Sequence, residues 1–213
     1  MTEATGTLNR RAVLLAGSAL MLAGCGDIIG PSATPKQLYT LTPNGSAAAA
    51  GQRADFSLAV AAGTDSQYLD STRIALTHAD GSLDYYADAA WTDRLSVLAR
   101  NALVEAFEAS ERIAAVAPES EGFQADYLLE CEIRDFEARY PAPDAIPTVR
   151  IRIVSKLAPT HGRAIIADLE SVHEAAATQN SVAAVVRAFD DALGPVLADI
   201  VAWALAAPKA STG

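Results

Sequence analysis

"ADYLLECEIRDF", residues 125–136, and "TVRIRIVSKL", residues 148–157, decide the fold. In the first, Tyr127, Leu129, Cys131 and Ile133 fall on one side, with Glu130 and Glu132 on the other. In the second, Val149, Ile151 and Ile153 stand opposite Arg150 and Arg152. Successive side chains of a strand point to opposite faces, so this alternation marks half-buried strands. "RAIIADLESV", residues 163–172, repeats it, with Ile165, Ala167 and Leu169 opposite Asp168 and Glu170. Together they predict a meander whose middle strand carries arginines between two acidic neighbours. Opposite charges facing across strands fix register for a few tenths to about 1 kcal/mol each. A solvated sheet face is the simpler reading of these charges, and a charged recognition face is the alternative.

Helical periods flank the meander. Downstream, Asn180 or Ser181 can cap a helix over 181–206, buried through Val182, Val185, Val186, Phe189, Leu193, Leu197, Ile200 and Ala204. Gly194-Pro195 lies inside it and predicts a kink, because the apolar period continues beyond. Upstream, Leu95, Leu98, Ala102, Leu103 and Phe107 give one face of a helix over 92–110, with Thr92 as its cap. Before that, "STRIALTHADGSLDYYADAAW" reads as a hairpin turning at Asp80-Gly81. "LYTL", "FSLAVAAG" and "RIAAV" add short strands. The fold class is α+β: a mixed, largely antiparallel sheet with two long helices, about 92–110 and 181–206, packed on it.

The amino terminus carries an address. Arg10-Arg11 precedes an apolar run from Ala12 to Gly24, "AVLLAGSALMLAG". That is shorter than the roughly 20 residues a membrane-spanning helix needs, and it has the form of a secretory signal. The run closes on Leu22-Ala23-Gly24-Cys25, which resembles a bacterial lipobox. The resemblance implies cleavage before Cys25, diacylglyceryl on its thiol and acylation of the new amino terminus. The paired arginines leave general and twin-arginine export both open. "GDIIGPSATPK", residues 26–36, lacks periodicity and reads as a tether. The organisation is therefore 1–24 signal peptide, 25–37 lipidated cysteine and tether, 38–206 a single domain and 207–213 a loose tail.

Composition limits the function. With 16 basic and 26 acidic residues the chain carries a net charge of −10, which disfavours nucleic acid and anionic lipid headgroups as partners. Membrane attachment must come from the lipid. Two cysteines, one of them Cys25, leave no disulfide framework. The chain has no CxxC, HExxH or G-x-S-x-G pattern and no Gly-rich phosphate loop. His78, His161 and His173 fall in no catalytic motif, and Cys131 reads as a small buried hydrophobe. The expectation is no enzyme, no metal and no cofactor beyond the lipid on Cys25.

"YYADAAWTDRL", residues 85–95, concentrates aromatic side chains. Tyr85, Tyr86 and Trp91 are candidate contacts for a partner or an acyl chain. Read as packing, the tyrosines cover the sheet and Trp91 anchors the start of the helix.

Several of these stretches also resemble the ABC-type transport auxiliary lipoprotein component family. They are Tyr39–Leu41 after the lipobox, Arg73-Ile74, Leu83–Tyr86, Trp91, Leu103–Phe107, Ala125–Leu128 and the closing "AFDDALGPVLADIVAWAL". The resemblance covers about 37–206. It implies a periplasm-facing lipoprotein, non-catalytic, serving an ABC transporter that works with an MCE (mammalian-cell-entry) protein. Such systems move phospholipids or other hydrophobic compounds between inner and outer membranes. The implied partners are the MCE protein, its permease and its ATPase. A relative in the paraquat-inducible system is an outer-membrane lipoprotein that forms rings, so a homo-oligomer is open here. Asp falls at position 27 and not directly after Cys25, which points to the outer membrane. A lipoprotein that scaffolds or activates peptidoglycan assembly would share the anchor, the tether and the fold class.

Overall fold

The computed structural model describes residues 36–43, 51–63, 66–161 and 164–207. Cys25 with its lipobox, tether residues 26–35, loop residues 44–50 and the tail from 208 lie outside them. The strands are β1 (Gln37–Tyr39), β2 (Ser57–Gly63), β3 (Arg73–Thr77), β4 (Leu83–Trp91), β5 (Ala115–Pro118), β6 (Tyr127–Arg139), β7 (Thr148–Pro159) and β8 (Ala167–Ala176). Helix α1 (Leu95–Ala109) lies between β4 and β5, and α2 (Val182–Ala206) closes the domain.

The eight strands form one mixed sheet around β6. One edge of β6 pairs antiparallel with β7 along its whole length, and β7 pairs with β8, which is the predicted meander. The other edge is shared. Its first half, Tyr127–Glu132, takes β2 in parallel, and its end, Ala138–Arg139, takes β3 in parallel. Beyond β2 lies β5, and beyond β3 lie its hairpin partner β4 and then β1. A side-chain clamp sets the β2–β6 register. Ser57 donates its N–H and its hydroxyl to the Asp126 carboxylate, each at 2.7 Å, and the Asp126 N–H returns a bond of 3.0 Å to the Ser57 hydroxyl. The Ser57 hydroxyl holds the Asp126 carboxyl below its usual range.

Two register shifts control which side chains reach the core. In β6, Ile133 pairs with Ile153 and Asp135 with Arg152, so Arg134 is the extra residue of a bulge. A one-residue insertion reverses the alternation. Phe136 therefore turns inward, 1% exposed, and Asp135 joins the arginines on the outer face. In β4, the pairs Arg73–Ala90 and Ala75–Tyr85 leave Ile74 alone opposite Tyr86–Ala89. Ala89, Ala90 and Trp91 are all buried after that irregular stretch.

Helices α1 and α2 touch each other, α1 against β2 and β5 and α2 against β7 and β8. Phe107, Phe136 and Phe189 lie in the single core they enclose. Full burial of one such side chain contributes about 1.5–3 kcal/mol. Ser181 caps α2 by accepting from the Ala184 N–H, and the helix continues through Pro195.

Four local expectations are corrected. Helix α1 starts at Leu95, because Thr92 still follows the strand and donates its N–H to the Tyr39 carbonyl. The residue at the cap is Arg94, whose side chain makes no capping bond. The β3–β4 turn runs over His78–Ser82, since Thr77 pairs with Leu83. Gly81 takes a φ of +82° there, and the Asp80 side chain accepts from the N–H and hydroxyl of Ser82. Strand β5 begins at Ala115, after Ala114 has donated its N–H to the Phe56 carbonyl. Strand β8 begins at Ala167, leaving Ile165 before it and 57% exposed.

Candidate functional site

The chain coming from Cys25 enters the described part at Lys36 and is fastened at once. Strand β1 lies parallel against Ala89–Trp91. Three residues past it, Thr42 donates its N–H to Asp190 of α2 at 2.7 Å and its hydroxyl to the other carboxylate oxygen at 3.0 Å. Asp190 is only 5% exposed. Burial raises its pKa, partly offset by the bonds from Thr42.

A carboxyl with a raised folded-state pKa favours folding below its unfolded value near 3.9, and that contribution fades as pH rises through the folded value. Asp190→Asn keeps an acceptor for the Thr42 N–H and carries no charge. Its urea midpoint is expected to gain on the wild type as pH rises above about 4. Asp190→Leu removes both acceptors of the exposed Thr42 and is expected to lose about 0.5–1.5 kcal/mol at low pH, a deficit that narrows as pH rises. A wild type that gains on Asp190→Asn with rising pH would contradict the assignment.

The three aromatic candidates have different roles. The Arg73 guanidinium lies 3.6 Å above the Tyr85 ring, and the Tyr85 hydroxyl donates to the Tyr68 carbonyl at 3.0 Å. The Tyr68 hydroxyl donates to the Leu76 carbonyl at 2.9 Å, and burial, with Glu137 nearby, pushes its pKa up to about 12. Tyr86 belongs to a relay. Tyr140 donates its only proton to Asn180 Oδ1 at 2.9 Å, so Tyr86 donates to the Tyr140 oxygen at 2.8 Å. Burial first, and then that bond, raises the Tyr86 pKa far above the usual tyrosine range.

Trp91 is 2% exposed. It stands edge-on to Phe136 and Phe189, with ring centroids 6.1 and 5.3 Å away. It offers no surface to a partner, so only the two tyrosines remain partly exposed.

A hollow of about 430 Å³ opens at the same end of the sheet, between His78, Arg139, Tyr140 and Thr148. Glu137, in its wall, accepts from the Thr77 hydroxyl at 2.7 Å and from Arg139 Nε at 2.8 Å. Its carboxylate is already engaged within the protein, and the hollow is open to solvent.

The outer face of the meander carries a charge network. Asp135 accepts from Arg150 Nε at 3.0 Å and Arg152 Nε at 2.9 Å. Arg150 continues to Glu174 at 2.7 Å and Arg152 to Glu170 at 3.4 Å. Burial alone would raise the Asp135 pKa, but the two arginine bonds outweigh it and hold the carboxyl below its usual range.

One convergence of Ser, His and Asp appears that the sequence could not show. Asp199 Oδ2 of α2 accepts from the Ser171 hydroxyl at 2.8 Å and lies 2.8 Å from His173 Nε2. In a nucleophilic triad the imidazole stands between hydroxyl and carboxylate. Here the carboxylate stands between the other two, so the serine proton goes to Asp199 and not to the histidine. The arrangement pins β8 to α2. Cys131 is no readier as a nucleophile, because burial pushes its thiol up to about 12. Among the described residues no group of His, Cys, Asp and Glu has a geometry that could hold a metal.

Known structures share this fold. Protein XCC0632 from Xanthomonas campestris is 29% identical, with a TM-score of 0.69 over 79% of this chain and 95% of its own. A second crystal structure, of an uncharacterized protein, is 18% identical, with a TM-score of 0.60 over 79% of this chain and 97% of its own. No curated relative matches the sequence. The model of the ABC-type transport auxiliary lipoprotein component family matches residues 39–201, from the end of β1 to the last turns of α2. The chain belongs to that family.

Proposed function

We propose that the protein is a non-catalytic, lipid-anchored arm of an ABC transport system that works with an MCE protein and moves phospholipids or similar hydrophobic compounds across the periplasm. The observation that carries this reading is the family match over nearly the whole domain. The site geometry supports it. The segment from Cys25 is fixed to the sheet by β1 and to α2 by the Thr42–Asp190 bonds. The polar clusters tie strands and helices together, and the imidazole of His173 bonds to Asp199 and not to the Ser171 hydroxyl. Diacylglyceryl and acyl groups on Cys25 supply the membrane attachment, in the outer membrane. Tyr85, Tyr86 and the exposed Leu83 at the start of β4 mark the end that meets a partner.

An affinity pull-down of the native lipidated protein in mild detergent, read by mass spectrometry, tests this. The MCE protein, its permease and its ATPase are expected together. Recovery of peptidoglycan synthases in their place would favour a cell-wall scaffold.

A further inference from the structure

Strand β8 is the edge of the meander, and among the described residues no strand lies beyond it. Natural edges are usually blunted by short length, charged side chains (lysine above all), proline or a bulge, and the three acids of β8 guard it only against another acidic strand. Strand β8 spans ten residues, "ADLESVHEAA", with no lysine, no proline and no register shift. Ladder parity identifies its outward backbone groups. Ala177 donates its N–H to the Pro147 carbonyl at 3.0 Å, one step beyond the Thr148–Ala176 pair. Opposed residues of an antiparallel ladder alternate between bonded and unbonded pairs. Leu169, Ser171, His173 and Ala175 therefore bond to β7. Asp168, Glu170, Val172, Glu174 and Ala176 turn their N–H and C=O groups outward, and all five are exposed.

Charge says what fits there. Two rows across the outer face run acid, base, acid, Glu130–Lys156–Asp168 and Glu137–Arg150–Glu174, and the two between them, Glu132–Val154–Glu170 and Asp135–Arg152–Val172, each carry two of the three charges. A further strand in sequence with these rows would be basic. A second copy of β8 cannot supply it, since the strand has three acids and neither lysine nor arginine. Like charges directly opposite destabilise a strand pair. We propose that the β8 edge accepts an extended segment of a partner protein that adds as a further strand, with Lys or Arg at every second residue facing Asp168, Glu170 and Glu174. Main-chain bonds supply affinity in this mode, and alternate side chains supply specificity. The proposal goes beyond the transport reading.

Residue-resolved hydrogen exchange on the full lipidated protein in detergent tests it. The probes are two synthetic ten-residue peptides, one alternating Lys and Val and one alternating Glu and Val. In the free protein, the amides of 168, 170, 172, 174 and 176 are expected to exchange fast and those of 169, 171, 173 and 175 slowly. The Lys/Val peptide should slow the fast set and bind about tenfold more tightly than the Glu/Val peptide. Val172→Pro removes only an outward N–H and should abolish the protection while the inward amides stay slow. If that variant disturbs the strand, Asp168→Lys with Glu170→Lys carries the test, and it must shift the preference to the Glu/Val peptide. An outward set already slow in the free protein, no slowing by Lys/Val, or equal slowing by both peptides would overturn the proposal. The pull-down reads the transport system and the exchange reads the edge, so each can fail without the other.

Discussion

Cys25→Ala is expected to release the protein from the membrane into the soluble periplasmic fraction once its leader is also cleaved away, while the domain keeps its circular dichroism and melting temperature. The acyl chains hold the membrane additively. A single acyl chain holds a protein only marginally, and two or more hold it stably at about 0.8 kcal/mol per buried CH₂. Nothing described in the domain replaces them. No described helix is long and apolar enough to cross a membrane. A chain of net charge −10 gains nothing from anionic headgroups. Because the variant also blocks cleavage at the lipobox, its leader could hold the membrane by itself. A second variant, with an ordinary cleaved secretory signal in place of residues 1–24 and alanine at 25, removes that ambiguity. An unchanged membrane fraction in the second variant would refute the lipid anchor.

Trp91→Ala is expected to be the most destabilising single change in the core, at about 3–5 kcal/mol. The indole is almost fully covered and stands edge-on to two phenylalanines that stack on each other at 4.8 Å. Truncation removes the buried area and leaves a cavity between β4, β6 and α2. Against a typical domain stability of about 5–15 kcal/mol, such a loss brings unfolding within reach of mild urea. Trp91→Phe keeps an aromatic edge and should cost less than half as much. Urea titrations of both variants check this. A loss under about 1 kcal/mol for the alanine variant would mean that the ring is not the keystone its burial indicates.

Where the pleat is regular, the structure was legible in the sequence. Cys131, Ile133, Ile151 and Ile153 alternate cleanly and lie inside. Arg150 and Arg152 alternate with them on the outer face; of the acids that the pattern set against them, Glu170 meets Arg152, while Asp135 and Glu174 supply the other partners. The stripe of α2 from Val185 to Ala204 is buried on the expected period.

Departures arise where backbone geometry interrupts that period. Nothing in "EIRDF" announces that Arg134 is an extra residue, so local pattern cannot assign Phe136 to the core or Asp135 to the surface. The irregular opposition of Ile74 to Tyr86–Ala89 likewise separates Trp91 from the tyrosines it follows in sequence. The Thr42–Asp190 clamp joins residues 148 apart, and only the fold brings them together. Its one sequence trace is an aspartate on an otherwise apolar helix face, which calls for a buried partner without naming it. The Ser171–Asp199–His173 cluster is equally nonlocal, and its order of bonding, on which its chemistry depends, has no sequence signature.

The most direct test of the central claim is cross-linking in intact cells from a photoreactive amino acid at Leu83, the exposed position at the head of β4. The transport account predicts an adduct with the MCE protein of an ABC system, formed by the lipidated protein and lost in the soluble variant lacking Cys25. Adducts confined to peptidoglycan synthases, or no transport component among the adducts, would contradict it.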